Sequence, residues 1–513
     1  MLTLSLPGTD AVLQQKVETR PKAVAEWIDA LPFANPAQTA QQLLMGLYAL
    51  NRHALDEDDR TALLALYRPA VARVAAALET SIADAGLPPP PQQRQAGALL
   101  RELLIELGTG YRHVLQALAN RRLVRASGKR VAEAAARVLG AHFDVLFACH
   151  LTRMAPPAGL WREIHQVYAY AQAAGAAELA VDDAPTPAAA YCRAVLFTRA
   201  DPPHMSHAEL LHTRRYLEKY ADRATLAAAP LGGHPGFSIP VDGDPTPSPT
   251  PPDPARESLW LDTGVLCQHL QAVQLHLRTG DTPRKIRLPE GMEAEATQIL
   301  SSHLLKQWCA SPQRAFRRHT PVDAALTVVA GLGAIHRLLG PGPAPSAEDE
   351  YTPGVTPAPV TPTRWTILND SAAGLALAGT PDASLNLRVG DALALQADGD
   401  AEWSLGVIRW LRMRDAQVVE FGVERLSPRA EAVWVRPLRG HRTLRAEAAL
   451  FVPGIAAMKQ ADRLMLPRHL YQLGIEAEVT HGARNYDIVF GKRVDPTPGF
   501  DLIDFSIFEA SAE

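Results

Sequence analysis

The sequence lacks a dominant charge of either sign. Its 513 residues include 51 Lys and Arg against 55 Asp and Glu, which gives a formal net charge of −4 at pH 7. So small an imbalance provides no general attraction toward a polyanion such as nucleic acid, or toward an anionic membrane surface. The composition therefore predicts that the chain has no nucleic-acid partner.

Cysteine is scarce, and its four copies are far apart. None belongs to a CxxC pair, so the spacing indicates neither a zinc site nor a disulfide framework, and buried free thiols in a reducing compartment fit it better. The N-terminal sequence MLTLSLPGTD lacks the basic segment and apolar run of a secretory signal. Both absences favour a cytoplasmic location. The cysteines are Cys149, Cys192, Cys267 and Cys309.

Two further kinds of pattern are missing. No uninterrupted apolar run reaches about 18 residues, so the sequence predicts no membrane span. It also contains no GxxxxGK[ST], GxSxG or HExxH motif, the patterns of common phosphate-binding loops, serine hydrolases and zinc proteases. We therefore predict no catalytic residues, no metal site and no cofactor, and a protein that is not an enzyme.

Proline, by contrast, is abundant, with 42 copies in the chain, and two stretches are especially rich in it. Residues 243–256 indicate a semi-rigid linker. Residues 340–363 indicate a surface insertion, because a structureless stretch of that length cannot be buried. Apolar residues recur at helical spacing from Pro21 to Ala229, with Asn35-Pro36 as a helix start, and helical spacing returns over residues 258–310.

The second half of the chain has β-strand periodicity. Residues 363–438 alternate apolar and polar side chains in short runs, with turns roughly every 8–12 residues, and residues 445–508 repeat this pattern. The predicted fold class is multidomain, with an all-α N-terminal region followed by an all-β small barrel and additional C-terminal strands. The predicted segments are an α-helical scaffold (1–242), a Pro-rich linker (243–256), a helical connector (257–312), a barrel (313–440) with an insertion (340–363), and a β extension (441–513).

Two short motifs flank the start of this β region. Arg314 and Arg318 lie four positions apart in RAFRR, and Asn369, Ser371 and Gly374 belong to the turn NDSAAG between two predicted strands. In this order they resemble the RxxxR and [D/N]xSxxG motifs of the PilZ domain, the bacterial receptor module for cyclic di-GMP. The later strand sequences GVIRW and FGVE follow the order of that small barrel. The resemblance implies that the predicted barrel is PilZ-like.

The resemblance also implies a ligand site for cyclic di-GMP. Arg314 and Arg318 would bind a phosphate and a guanine edge, because a guanidinium group can donate two parallel hydrogen bonds to either of them and can also stack on a base. Asn369 and Ser371 would contact a base, and Gly374 would allow a close backbone approach or a positive φ. The chain is then a bacterial cyclic di-GMP effector that signals through a helical, partner-binding region.

Simpler explanations of both motifs stay open. An arginine pair after a helix is often a solvated helix end, and an Asn-Asp-Ser turn is often purely structural. The motifs also start 55 positions apart, from Arg314 to Asn369, which is longer than is usual for the family. The alternative prediction is therefore an adaptor in which a degenerate PilZ-like domain docks a partner without binding nucleotide.

A histidine-rich segment is a weaker candidate for function. His204, His207 and His212 suggest a metal cluster, with Glu209 as the nearest acidic residue. Their spacing matches no familiar metal-binding motif, and a solvated helix start explains the segment better. We therefore assign it no site.

Two further residue groups carry simpler structural interpretations. Cys149-His150 lies in an apolar helical segment, where core positions are far more common than a catalytic dyad. Gly108-Thr109-Gly110 falls inside a helical pattern and indicates close helix packing rather than a phosphate-binding loop. Neither group is predicted to act on a ligand.

Overall fold

The structure, a computed structural model, divides the chain into two compact units. The first comprises Met1–Ala85 and Pro90–Gln313, and the second comprises Gly86–Pro89 and Arg314–Glu513. The segment boundaries expected from the sequence stay predictions. The structure describes all residues except 1, 11–16, 84, 122–126, 231, 245–256, 310–318, 322–323, 341–359, 383–384, 416, 440–441, 444, 456–459 and 509–513.

The first unit is built mainly from helices, as the helical spacing predicts. Several of them begin at capping side chains. For example, Asn35 accepts a hydrogen bond from the Gln38 amide at 3.2 Å, and Asp56 accepts one from the Asp59 amide at 2.8 Å. Its helices are α1 (Pro21–Asp29), α2 (Pro36–Asn51), α3 (Glu57–Ile82), α4 (Pro91–Ala119), α5 (Gly128–Leu151), α6 (Leu160–Ala173), α7 (Pro187–Arg199), α8 (His207–Tyr220), α9 (Gly264–Arg278) and α10 (Ala294–Cys309).

A small sheet and a disulfide in the first unit differ from the sequence predictions. Ser258–Asp262 forms strand β3 rather than a helix, and it pairs with β1 (Thr225–Ala227) and β2 (Gly236–Pro240). Cys267 and Cys309 form a disulfide that joins the start of α9 to the end of α10, so the prediction of free thiols was wrong for this pair. Cys149 and Cys192 are free and buried, as expected.

Two helices in the described part of the chain, α3 and α5, are long and apolar enough to cross a bilayer by length and composition alone. Both contribute to the hydrophobic core of the first unit. In the most apolar 18-residue stretch of each helix, 44% of α3 and 78% of α5 is buried inside the protein. Packing in a protein core accounts for such composition as readily as a membrane does, so neither helix is strong support for a span.

The structure gives each of the weaker candidate sites a structural role. Ser206 and Glu209 form a reciprocal capping box at the start of α8, so the Glu209 carboxylate accepts a hydrogen bond from the Ser206 amide and caps the helix. Burial raises the pKa of Cys149 to about 11 and lowers that of His150 to about 4, opposite to the shifts of an activated thiolate–imidazolium pair. Gly110 lies against the Leu64 side chain, which agrees with close helix packing.

The second unit contains two closed six-stranded β-barrels. The first barrel has the strand order β4-β5-β6-β9-β8-β7, and its core includes the edge-to-face pair of Trp365 and Phe421, with ring centroids 4.7 Å apart. Its elements are β4 (Ala325–Ala330), α11 (Leu332–Leu338), β5 (Thr363–Ser371), β6 (Gly374–Gly379), β7 (Ala392–Ala397), β8 (Ser404–Met413) and β9 (Val419–Ser427). The predicted strands of residues 363–438 are confirmed.

The second barrel follows directly along the chain. Six strands close in the order β10-β12-β13-β16-β15-β14, and the short strand β11 pairs with β10 outside the ring. Buried apolar side chains such as Val433, Phe490 and Ile503 form its core. The strands are β10 (Glu431–Arg439), β11 (Arg442–Thr443), β12 (Glu447–Val452), β13 (Arg463–Leu466), β14 (Glu476–His481), β15 (Arg484–Pro496) and β16 (Asp501–Phe508).

The second unit also includes four residues from the connection between α3 and α4. Within Gly86–Pro89, Leu87 exchanges two backbone hydrogen bonds with Leu387 of the β6–β7 connection, at 2.8 and 2.9 Å. Both leucine side chains are buried. This short pairing adds a segment from the N-terminal half of the chain to the first barrel.

Candidate functional site

The β5–β6 hairpin carries three of the five site residues predicted from the sequence. Asn369 lies opposite Ala376, and Ser371 lies opposite Gly374 at the end of the hairpin. Because residues two positions apart on a strand share a face, Asn369 and Ser371 present their side chains on the same face of the barrel. A register shift between Ile367 and Asn369 interrupts β5 just before them, and bulges of this kind re-aim neighbouring side chains.

Ser371 has a structural role at the tip of the hairpin. Its hydroxyl donates a hydrogen bond to the Gly374 carbonyl at 2.8 Å, and its amide donates one to Asp370 Oδ1 at 2.7 Å. The hydroxyl oxygen keeps acceptor capacity. Asn369 is half-buried, and its side chain has no hydrogen-bond partner among the described residues. The amide group of Asn369 is therefore available to a ligand.

Gly374 is required by a close approach between β6 and β9. A methyl group at this position would overlap the backbone carbonyl of Val423. Its φ angle is not in the left-handed region. Of the two possibilities expected from the sequence, close backbone approach is therefore the one that occurs.

A transverse row of residues extends across the outer face of the barrel from Asn369. Ala376 lies opposite both Asn369 and Gly422, and Gly422 lies opposite Trp410 on β8, so these four residues form one transverse row. Directly opposed residues of antiparallel strands share a face. The Trp410 indole lies against Gly422, where a methyl group would overlap it. The row therefore has an amide at one end, an aromatic ring at the other, and two small residues between them.

Trp410 is a candidate contact residue that the sequence motifs do not reveal. It belongs to the GVIRW strand that supports the PilZ resemblance, but its position relative to Asn369 depends on three successive pairings between four strands. The Arg412 guanidinium lies 5.4 Å from the Trp410 ring. A combination of aromatic and guanidinium planes is typical of surfaces that bind nucleotide bases.

Arginine side chains around this face are paired with carboxylates. Arg425 contacts Asp370 at 3.0 Å beside the hairpin. Arg412 and Arg414 both pair with the buried carboxylate of Glu420. Ion pairing of this kind holds the guanidinium groups in position. An arginine of this group that bound a phosphate would have to leave its carboxylate partner or contact both groups at once.

The predicted Arg314 and Arg318 lie outside the described residues, but the chain that follows them is described. His319 forms an isolated antiparallel bridge with Asp370: each residue donates its backbone amide to the carbonyl of the other, at 2.8 Å. His319 directly follows Arg318 in the sequence, and Asp370 lies between Asn369 and Ser371. The long spacing between the two motifs therefore does not separate His319 from the hairpin.

Asp391, which directly precedes β7, is a carboxyl whose pKa burial raises. Burial raises its pKa to about 6, although it accepts a hydrogen bond from the Arg388 amide at 2.7 Å. Among the residues that the structure describes, no group of three or more His, Cys, Asp or Glu side chains is arranged to hold a metal ion.

Comparison with known proteins agrees with this architecture. Three family models match in succession: the N-terminal domain of the cyclic-di-GMP receptor FimW at residues 22–230, its middle PilZ domain at 350–432, and its C-terminal β-barrel domain at 433–508. The match to the PilZ model includes the β5–β6 hairpin but not Arg314 or Arg318.

One relative aligns along nearly the whole chain. It is the cyclic-di-GMP receptor FimW of Pseudomonas aeruginosa, which is 25% identical over an alignment that covers 98% of this chain and 93% of the relative. The prediction of a PilZ domain behind a helical N-terminal region is thereby confirmed. The chain therefore has a PilZ domain between a helical N-terminal region and a second β-barrel.

Proposed function

We propose that this protein is a cyclic di-GMP effector that binds the dinucleotide on the outer face of its first barrel. The observation that carries the proposal is the bridge between His319 and Asp370. It joins His319, the residue after the RxxxR motif, to Asp370 of the NDSAAG turn, so the chain directly after Arg318 lies beside the hairpin that carries the second motif. The printed name of the FimW relative, a cyclic-di-GMP receptor, supports the same ligand.

Each proposed contact residue suits a different part of the ligand. Arg314 and Arg318 would bind phosphate oxygens and the O6/N7 edge of guanine, as planar bidentate donors do. Asn369, whose side chain has no partner among the described residues, would read a base edge. Ser371 would accept or donate one hydrogen bond, and Gly374 would keep the hairpin close enough to β9 for the ligand to lie flat.

Trp410 would add a stacking surface to this set. Its ring lies in the same transverse row as Asn369, with the small residues Ala376 and Gly422 between them. Base–aromatic stacking contributes about 1–3 kcal/mol per base. A guanine stacked on Trp410 would therefore account for a substantial part of the binding free energy.

The bound nucleotide would act through a protein partner of the helical unit, and the predicted location is the cytoplasm, where cyclic di-GMP is made. The helical unit supplies a large folded surface that the proposed ligand site does not use. Its match to the N-terminal domain of a receptor, rather than to an enzyme, supports a signalling role.

Calorimetric titration of the full chain with cyclic di-GMP tests the proposal. We expect binding in the micromolar range or tighter, lost in Arg318→Ala and weakened roughly tenfold or more in Asn369→Ala and Trp410→Ala. Arg364→Ala is the matched control, because Arg364 is an exposed arginine of β5 that pairs with Asp398. Cyclic di-AMP is the matched ligand control, since adenine lacks the O6 acceptor.

Two results would contradict the proposal. One is no binding at tens of micromolar nucleotide. The other is binding that survives Arg318→Ala with unchanged affinity. Either result, combined with retained recovery of a partner by the variant Arg314→Ala/Arg318→Ala, would support the nucleotide-independent adaptor instead.

A further inference from the structure

The helical unit contains an open apolar groove that plays no part in the proposed nucleotide site. Its volume is about 910 Å³, and it is lined by α1, α2, α3, α4 and the residues just before α1. Ligand and peptide sites are typically concave, apolar and provided with a few polar groups. The residues that carry the argument below are Trp27, Met45, Tyr48, Tyr67 and Glu102.

Gly46 allows two aromatic rings to form part of the groove lining. A Cβ atom at this position would lie 2.7 Å from the Tyr67 hydroxyl and 3.1 Å from the Trp27 ring. The two rings pack against each other with centroids 5.9 Å apart. Any larger residue at position 46 would push the rings aside, so the shape of the groove depends on this glycine.

The ring of Tyr67 is largely buried, and the residue lines the groove. Tyr67 is only 5% exposed, yet its hydroxyl has no hydrogen-bond partner among the described residues. Burial raises its pKa to about 12, so the hydroxyl keeps its proton at neutral pH and can donate it. A bound group that accepted its hydrogen bond would therefore take the place of solvent at this hydroxyl.

Two large apolar side chains of α2 also line the groove. Met45 is 66% exposed and Tyr48 is 45% exposed, and they lie three positions apart on one side of the helix. The lining part of α2 runs from Gln42 to Ala49, which corresponds to about 10 Å or roughly two helical turns. Methionine adapts to irregular apolar partners and is common at helix-binding surfaces.

The charged residues that line the groove are all acidic. Glu18 pairs with Arg20 at 2.6 Å, and Glu106 pairs with Arg52 at 3.4 Å. Glu102 is exposed and has no ion-pair partner among the described residues. An apolar occupant with a basic side chain would therefore match the groove, because it would compensate the charge of Glu102.

From these observations we infer that the groove binds an amphipathic helix of a partner protein. The apolar face of that helix packs on Met45 and Tyr48, and a Lys or Arg beside this face pairs with Glu102. A polar side chain within the face accepts a hydrogen bond from the Tyr67 hydroxyl. This inference rests on the proposed partner-binding role of the helical unit. It does not depend on nucleotide binding by the barrel, so the two can fail separately.

A synthetic peptide provides the probe. It is a labelled Leu/Lys amphipathic helix of about four turns, with Leu at positions i, i+3, i+4 and i+7 and one Gln within this face as the acceptor for the Tyr67 hydroxyl. It is compared with a scrambled peptide of the same composition. Fluorescence polarisation with the full chain, without cyclic di-GMP, measures the affinity. We expect micromolar binding of the amphipathic peptide and binding at least about tenfold weaker of the scrambled one.

Three variants and one control locate the binding surface. Met45→Lys should weaken the amphipathic peptide roughly tenfold, Glu102→Gln should weaken it and reduce its salt dependence, and Tyr67→Phe should weaken it by about three- to tenfold. Leu275→Lys is the matched control, because Leu275 on α9 is 63% exposed but does not line the groove. Circular dichroism checks that each variant is folded.

Several outcomes would overturn the inference. These are no peptide binding at hundreds of micromolar, equal binding of both peptides, or equal loss in Met45→Lys and Leu275→Lys. Two other occupants of the groove are tested in the same way. If sedimentation shows a dimer that Met45→Lys dissociates, the groove binds a second copy of the chain. If a small apolar molecule co-purifies with the chain and blocks peptide binding, the groove binds that molecule instead.

Discussion

The indole of Trp410 lies against the backbone of Gly422 on the outer face of the first barrel, where even a single methyl group would overlap the ring. Gly422 in turn lies beside Ala376, which lies beside Asn369. The absence of side-chain bulk on two consecutive strands thus lets the indole lie down between β8 and the amide-bearing hairpin, with Ala376 and Gly422 buried beneath this row. The row is a property of strand pairing and not of any one motif.

Gly422→Ala is expected to displace Trp410 and to destabilise the second unit by about 1–3 kcal/mol, as overpacking does. Denaturant unfolding measures the change in free energy, and calorimetry measures the accompanying loss of cyclic di-GMP affinity. Gly333→Ala is the control, since a Cβ atom there would meet only the flexible end of Arg337 at 3.7 Å. Unchanged stability and unchanged affinity of Gly422→Ala would contradict the described position of Trp410.

Reduction of the Cys267–Cys309 disulfide is expected to destabilise the first unit by about 2–4 kcal/mol. The bond closes a loop of 42 positions, and most of the effect comes from the greater freedom of the unfolded chain. Thermal unfolding with and without a reductant, compared with the variant Cys267→Ser/Cys309→Ser, measures it. The variant should be insensitive to the reductant because Cys149 and Cys192 are buried free thiols.

The same bond bears on the predicted cytoplasmic location, where disulfides are rare. Alkylation of the protein in lysing cells, followed by mass spectrometry, counts the thiols that reacted under denaturing conditions. Two reacted thiols would indicate the oxidised pair, and four would indicate that the pair is reduced in the cell.

Asp391→Asn is expected to stabilise the second unit at neutral pH by up to about 3 kcal/mol. Burial raises the pKa of Asp391 from 3.8 to about 6, so the folded state holds its proton more tightly than the unfolded state does. The wild-type stability contribution of this group is therefore full below about pH 4 and is lost as pH rises to about 6. Asn removes that loss and still accepts the Arg388 amide hydrogen bond.

Denaturant unfolding at several pH values tests this sign. The stability difference between Asp391→Asn and the wild type should grow between about pH 4 and pH 6 and then stay constant. A difference that shrinks over this interval would show that the carboxylate form is favoured in the folded state instead.

Leu87→Ala is expected to destabilise the second unit, although position 87 lies between two helices of the first. Leu87 is 3% exposed, and truncation of a buried leucine costs about 2–5 kcal/mol. Leu473→Ala is the control, because Leu473 is 63% exposed in the same unit. Amide hydrogen exchange locates the effect. Faster exchange around Leu387 is expected in the variant, and an increase confined to α3 and α4 would contradict the prediction.

Local sequence signals predicted much of this fold. The caps at Asn35 and Asp56 are visible in the sequence, because a capping side chain and the amide that it binds lie three positions apart. The NDSAAG hairpin is equally local. The strands of both barrels have clear alternation, so the order of helices and strands follows from periodicity.

Local sequence signals could not predict the pairings between residues that are distant along the chain. Strand β3 is five residues long and pairs with segments before the Pro-rich stretch, so nothing near it distinguishes it from a helix start. The partners Cys267 and Cys309 meet only because α9 and α10 pack against each other. The bridge between His319 and Asp370 and the row from Asn369 to Trp410 likewise depend on barrel closure. The ligand contacts of Arg314, Arg318, Asn369 and Ser371 stay predictions.

The pairing of Leu87 with Leu387 has a practical consequence for dissecting this protein into fragments. The chain contributes to the second unit twice, first with four residues and then from residue 314 onward. A recombinant fragment that begins at 314 would leave the backbone of Leu387 without its hydrogen-bonding partner and its side chain partly uncovered. A poor yield or weak nucleotide binding by such a fragment would then reflect the cut and not the barrel. A fused or co-expressed peptide containing residues 86–89 would restore the missing pairing.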